Sequence, residues 1–207
     1  MDKKNLTQTP KRIIAHVANI VTQSSDQVIG DRSPYPLLVC AATQFALKQY
    51  NIESQIIYGH ASWIEILNNN KPIWAGCWGE SFHFWLVSEF NEMIDLHVSI
   101  AHRSPNQQNK KSIASAPMLW TKQIPNFYQY KPIGIADPEP TETKAQNWLK
   151  KIHEKILHKC TEENTEEIFP DEAIICSDKN LLDDTNNSFK KFDRALSVNG
   201  FPHKKPF

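Results

Sequence analysis

Between Ser81 and Ser99 the chain reads SFHFWLVSEFNEMIDLHVS: two apolar, aromatic-rich runs separated by a polar break at Asn91 and Glu92. Period-2 alternation places His83, Trp85 and Val87 on one face of the first run and Phe84, Leu86 and Phe90 on the other. Both faces are apolar, so this run is expected to be a central strand with cover on both sides. A chain containing such a strand needs a layered fold around a sheet. The second run, from Met93 to Ile100, carries Asp95 and is expected to be the neighbouring strand.

The flanking segments supply the cover. Thr9-Pro10 is a helix start, followed by Ile13, Val17, Ile20 and Val21 at helical spacing. Gln23 to Pro36 is polar and turn-rich and reads as a loop. Leu37 to Tyr50, LLVCAATQFALKQY, carries a stripe of Leu38, Ala41, Ala42 and Phe45, which predicts a helix with Cys40 in its first turn. Ser54 to His60 reads as a strand entering a glycine break, Ala61 to Leu67 as either a continued extended run or a short turn, and Asn68 to Pro72 as a hairpin-type loop. Ile73 to Trp78 is another strand, Ala101 to Ala116 is irregular, and Asn126 to Ile135 contains a last strand. Thr141 to Lys159 is an amphipathic helix, with Ala145, Trp148, Leu149, Ile152 and Ile156 on one side. Beyond Cys160 the composition shifts: an acidic run at Glu162 to Glu167, a possible edge strand at Ile174 to Cys176, and a short helix at Ser188 to Val198 ending at Gly200. This divides the chain into a domain over residues 1–160 and a C-terminal extension over 161–207.

Bulk properties narrow the function. The formal net charge of the 207 residues is zero, which gives no electrostatic footprint for nucleic acid or an acidic membrane. No stretch approaches the roughly 18 apolar residues of a membrane span. IIAHVANIV, interrupted by His16 and Asn19, does not make a signal peptide. Cys40, Cys77, Cys160 and Cys176 are the four cysteines, and no pair has metal-ligand spacing. A cytoplasmic protein with reduced thiols and no cofactor is the expectation.

The candidate chemistry combines three positions. Taken alone, Cys40 reads as a small core residue. A cysteine opening a helix, however, sits where the helix dipole lowers a thiol pKa, and the later His83 and Asp95 supply a base and a group to orient it. A two-residue turn at Asn91-Glu92 would set Ser88 opposite Asp95 and leave Asp95 about five residues out of register with His83, at roughly 3.3 Å per residue. A turn centred on Glu89, a bulge or strong twist is needed to bring them together. Cys77, six residues before His83, is the competing nucleophile, in a strand-like, tryptophan-flanked setting. His97 and His102 with His83 and Asp95 would make a metal site, and His60 reads as a surface histidine.

Three segments, VCAATQFALKQYNIESQIIYGHA, HFWLV and EMIDL, together make the region from Pro34 to Ile100 resemble the transglutaminase-like branch of the papain-like cysteine hydrolases. The resemblance implies an α+β fold in which a nucleophile helix packs on an antiparallel sheet with flanking helices. It implies Cys40 as the nucleophile, His83 as acid and base, and Asp95 as the orienting carboxylate. A backbone N–H at Cys40 and a second donor, for which Trp74, Trp78 and Tyr35 are the candidates, would hold the oxyanion. The implied activity is thiol-dependent hydrolysis or acyl transfer on an amide or peptide bond. The alternatives are a degenerate member that binds a peptide or protein without catalysis, and a metal-binding protein using His83, Asp95 and His97.

Overall fold

The computed structural model describes residues 6–105, 111–161, 174–176, 187–202 and 205–207. It is a mixed α+β structure. In chain order the elements are α1 (Lys11–Ile29), α2 (Pro36–Gln49), β1 (Ser54–Leu67), β2 (Pro72–Cys77), β3 (His83–Ser88), β4 (Met93–Asp95), a 3-10 helix (Val98–Arg103), β5 (Ser112–Ser115), β6 (Met118–Thr121), β7 (Tyr128–Ile135), α3 (Thr143–Thr161), β8 (Ile174–Cys176) and α4 (Asn187–Asn199).

The eight strands form one curled sheet in the order β2-β1-β3-β4-β6-β8, with β5 and β7 also pairing with β1. All ladders are antiparallel except β6 with β8. Strand β1 is the hub. Its first half pairs with β3 and its second half with β2, while β7 and then β5 line its other side. Consequently β2 and β3 lie end to end along one side of β1, and residues 78–82 are looped out between them.

A glycine break was the expectation at Gly59, yet β1 runs through it. The glycine answers a packing demand there: a Cβ would lie 2.3 Å from the Lys131 carbonyl oxygen and 2.9 Å from the Trp85 ring. Helix α1 likewise continues past Gln23 to Ile29 and stops at Gly30, whose φ is +83°. Ser24 and Ser25 are fully buried, so short polar side chains let this turn pack closely where a polar surface loop was expected.

Cover on both faces follows. Helices α1, α2 and α3 bury Val17, Val21, Leu47, Ile152 and Ile156 against Ile56, Leu86, Ile94 and Trp120. A second cluster holds Trp63, Ala75, Trp85, Leu119 and Tyr128 with Phe192 of α4. At about 25 cal/mol per Å² of apolar surface, these two layers are the dominant stabilising term. The strand expected over Met93 to Ile100 is only three residues long, and the chain turns into the 3-10 helix. Within the expected irregular stretch, Ser112–Ser115 is strand β5. Strand β6 had no sequence expectation. The acidic run Glu162 to Glu167 lies outside the described residues. Among the described residues no helix is long and apolar enough to cross a membrane.

Candidate active site

The β3–β4 turn settles the register. Leu86 pairs with Ile94 and Val87 with Met93, and the Ser88 N–H donates to the Glu92 carbonyl at 2.9 Å. Three residues, Glu89 to Asn91, therefore make the turn, with Asn91 in the left-handed region at φ +59°. Asp95 falls on the face that carries His83, one alternation away, and the side chains meet. His83 Nε2 donates to Asp95 Oδ2 at 2.7 Å, with both residues buried.

Glu92 secures this turn. It is buried, and its carboxylate accepts from Thr9 N at 2.9 Å, Thr9 Oγ1 at 2.6 Å, Ser88 Oγ at 3.0 Å and Trp120 Nε1 at 3.3 Å. Four donors on one carboxylate fasten the segment before α1 to the β3–β4 connection.

Asp95 is equally occupied. Tyr130 on β7 donates its hydroxyl to Oδ2 at 2.8 Å, and the backbone N–H groups of His97 and Val98 donate to Oδ1 at 3.1 and 3.0 Å. Those last two bonds end β4 and start the 3-10 helix, which is why the expected longer strand does not form. Burial alone would push the Asp95 pKa up. The His83 charge and hydrogen bond, with help from His97 and Tyr130, bring it below the usual carboxylate value. For His83, burial alone would lower the pKa, but the Asp95 charge and hydrogen bond, joined by the Cys77 thiol, push it up to about 10. The pair is therefore imidazolium and carboxylate at neutral pH.

His97 has the opposite character. Its Nε2–H donates to the Ser33 carbonyl at 2.8 Å. Burial first, then the neighbouring His83 charge, lower its pKa to about 4, so it stays neutral. Its ring lies 5.6 Å from that of His83. Among the described residues no three His, Cys, Asp or Glu side chains are arranged to hold a metal ion.

The two cysteine candidates separate clearly. Helix α2 begins at Pro36, so Cys40 falls in its second turn, beyond the reach of the dipole at the helix start. Its side chain is buried in the helix-packed core. Burial, and then the Asp95 carboxylate, push its thiol pKa well above the usual range. Burial and the Asp95 carboxylate thus act on the Cys40 thiol in the direction opposite to a helix dipole. Cys77 is half-buried, and its thiol raises the His83 pKa. The sheet explains this influence. Cys77 pairs with Ala61 and His83 with Gly59, so the two stand on one face of β1, two residues apart, with 78–82 looped out between them. With Nε2 committed to Asp95, Nδ1 is the ring nitrogen left for the thiol. The structure thus places Cys77, His83 and Asp95 on one face of the sheet, with His83 and Asp95 in direct contact.

Trp63 walls this group, its ring 5.1 Å from His83, and its indole N–H is anchored 3.0 Å from Oε1 of the buried Glu65. Of the oxyanion candidates, Trp74 donates its indole N–H to the Pro202 carbonyl and Tyr35 packs edge-on against Trp148. Trp78, next to Cys77, is partly exposed. Sequence reasoning did not find Tyr130 or Trp63, and it ranked Cys77 second. The available signal was GCWGESFH, in which two glycines flank the cysteine and a short loop leads to the histidine. Comparison with family models, curated proteins and solved structures gives no match.

Proposed function

We propose that this chain is a thiol-dependent hydrolase or acyltransferase acting on an amide or peptide bond, with Cys77 in place of Cys40 as the nucleophile. The buried His83–Asp95 hydrogen bond, with Cys77 on the same face of β1 as His83, is the observation that carries this reading. The strand-borne histidine and aspartate beside a helix-covered sheet also support the papain-like, transglutaminase-like architecture, and a cytoplasmic setting suits a working free thiol.

In this reading the Cys77 proton already rests on His83, and Asp95 stabilises the imidazolium and fixes its ring. The sulfur attacks the substrate carbonyl carbon. His83 then gives its proton to the leaving nitrogen as the carbon–nitrogen bond breaks, which leaves an acyl group on Cys77. Water or an amine attacks the thioester, loses its proton to His83 and releases the thiolate, which restores the starting pair. The partly exposed sulfur in front of a buried imidazole suits this division of labour.

The test is the rate of iodoacetamide labelling against pH, with each cysteine followed by mass spectrometry. Cys77 is expected to label fastest, and to slow by roughly tenfold or more in His83→Ala. Cys40→Ala is expected to leave the Cys77 rate unchanged. A Cys77 rate equal to that of a free thiol and indifferent to His83→Ala would overturn the reading and favour a binding module. A His83-dependent rate at Cys40 would return the nucleophile to α2.

A further inference from the structure

The loop 78–82 has a second face. His60 and Tyr58 alternate with Ala61 and Gly59 along β1, so they point away from Cys77 and His83. His60 Nε2 donates to the Gly79 carbonyl at 3.2 Å. Its ring lies parallel to Phe82 at 5.9 Å with a 2° interplanar angle, and Phe82 meets Tyr58 edge-on at 5.7 Å. The chain leaving α4 turns at Gly200, φ +67°, and arrives at this same surface. Trp74 Nε1 donates to the Pro202 carbonyl at 3.4 Å, and the Phe207 ring sits 6.1 Å from His60. Phe82 and Phe207 remain 44% and 41% exposed, so these contacts form without being sealed from water.

We propose that His60, Phe82 and Trp74 form a binding shelf for an extended peptide bearing an aromatic side chain, and that Pro202 and Phe207 of the same chain occupy it in cis. The two contacts are of different kinds, and each fits peptide recognition. An indole N–H reading a backbone carbonyl is indifferent to side-chain identity, whereas a ring laid beside His60, which Phe82 stacks against, selects an aromatic residue. Pro202 and Pro206 restrict the backbone and disfavour helix, which suits an extended occupant. The occupant is held by few contacts but at high effective concentration, so a partner segment of the same chemistry can displace it only by competing. The shelf lies on the other side of β1 from Cys77, so it stands or falls independently of the thiol chemistry.

A dye-labelled, C-terminally amidated peptide of the sequence Phe201 to Phe207 tests this by fluorescence anisotropy. It is expected to bind saturably to a chain cut after Gly200, and roughly tenfold or more weakly to the full chain, whose own segment competes. Phe82→Ala in the cut chain, or alanine for the last phenylalanine of the peptide, is expected to abolish binding. Far-UV circular dichroism checks that the cut chain is folded. In the uncut chain, Phe207→Ala is expected to tighten binding of the added peptide, which gives a readout that needs no truncation. No binding to the folded cut chain, or equal affinity for the full chain, the cut chain and Phe207→Ala, would overturn the proposal.

Discussion

Asp95→Ala is expected to destabilise the fold by about 3–5 kcal/mol, the usual result of removing one partner of a buried ion pair. Three further donors, Tyr130 and the N–H groups of His97 and Val98, lose their acceptor at the same time. Asp95→Asn separates charge from shape. An amide can still accept from the two backbone N–H groups, but the charge that holds the proton on His83 is gone. With only the Cys77 thiol then opposing burial, the His83 pKa is expected to fall from about 10 toward the ordinary histidine value of 6.5.

The pH dependence follows from the signs. His83 has a folded pKa above its unfolded value, so its contribution is fully present below pH 6.5 and fades as pH rises toward 10. Asp95 has a lowered folded pKa, so its contribution is present above about pH 3.8 and is lost in acid. Urea unfolding should therefore show this pair contributing most between about pH 4 and 6.5, with a decline into the alkaline range. In Asp95→Asn the alkaline decline should vanish. Parent stability that stays level from pH 6 to 10 would contradict the charge assignment.

Gly76→Ala is expected to have an effect of similar size through a different cause. A Cβ at Gly76 would lie 2.1 Å from the Ala61 carbonyl oxygen and 2.7 Å from the Ser62 Cα, and the residue holds φ +145°. Both obstacles are backbone, so β2 must move away from β1. Displacing it moves Cys77, which pairs with that same Ala61. A loss of about 3 kcal/mol or more is expected from the clash and strained dihedral together, lowering Tm by roughly 6–12 °C in a chain of this size. The His83-dependent labelling of Cys77 should disappear with it. Gly79→Ala is the control: its φ is also positive, at +73°, but nothing lies within 4 Å of the added carbon. Its cost should stay near 1–2 kcal/mol. Equal melting temperatures for the two variants would show that the close approach at Gly76 is not what holds β2.

The parts legible in the sequence are those with strong local signals. Apolar periodicity located α2, β3, α3 and α4, and the histidine and acid runs were visible as neighbouring strands. The failures were all tertiary. Gly59 looked like a break because nothing local shows that Trp85 and the Lys131 carbonyl close on it. Asp95 ends its strand by bonding two N–H groups ahead of it, so the apolar residues beyond it no longer predict extension. Cys40 lies one residue deeper in α2 than its expected place, because the helix begins at Pro36. Cys77 gained its partner only because β2 and β3 share one side of β1, a topology that the loop 78–82 could equally have replaced with a hairpin.

The central place of β1 also has a kinetic meaning. Its partners run from Pro72 to Ile135, and the ladder to β7 joins Ile57 to Ile135 across much of the chain. Loops of that length must close before their hydrogen bonds stabilise anything, which places such folds toward the slow end of the millisecond-to-second range. The β1–β2 hairpin is short-range and can form early, carrying Cys77 into place, and β3 follows with His83. Tyr130 arrives only with β7. Until then Asp95 lacks one of its donors, so the full charge balance around the histidine belongs to the last stage of folding.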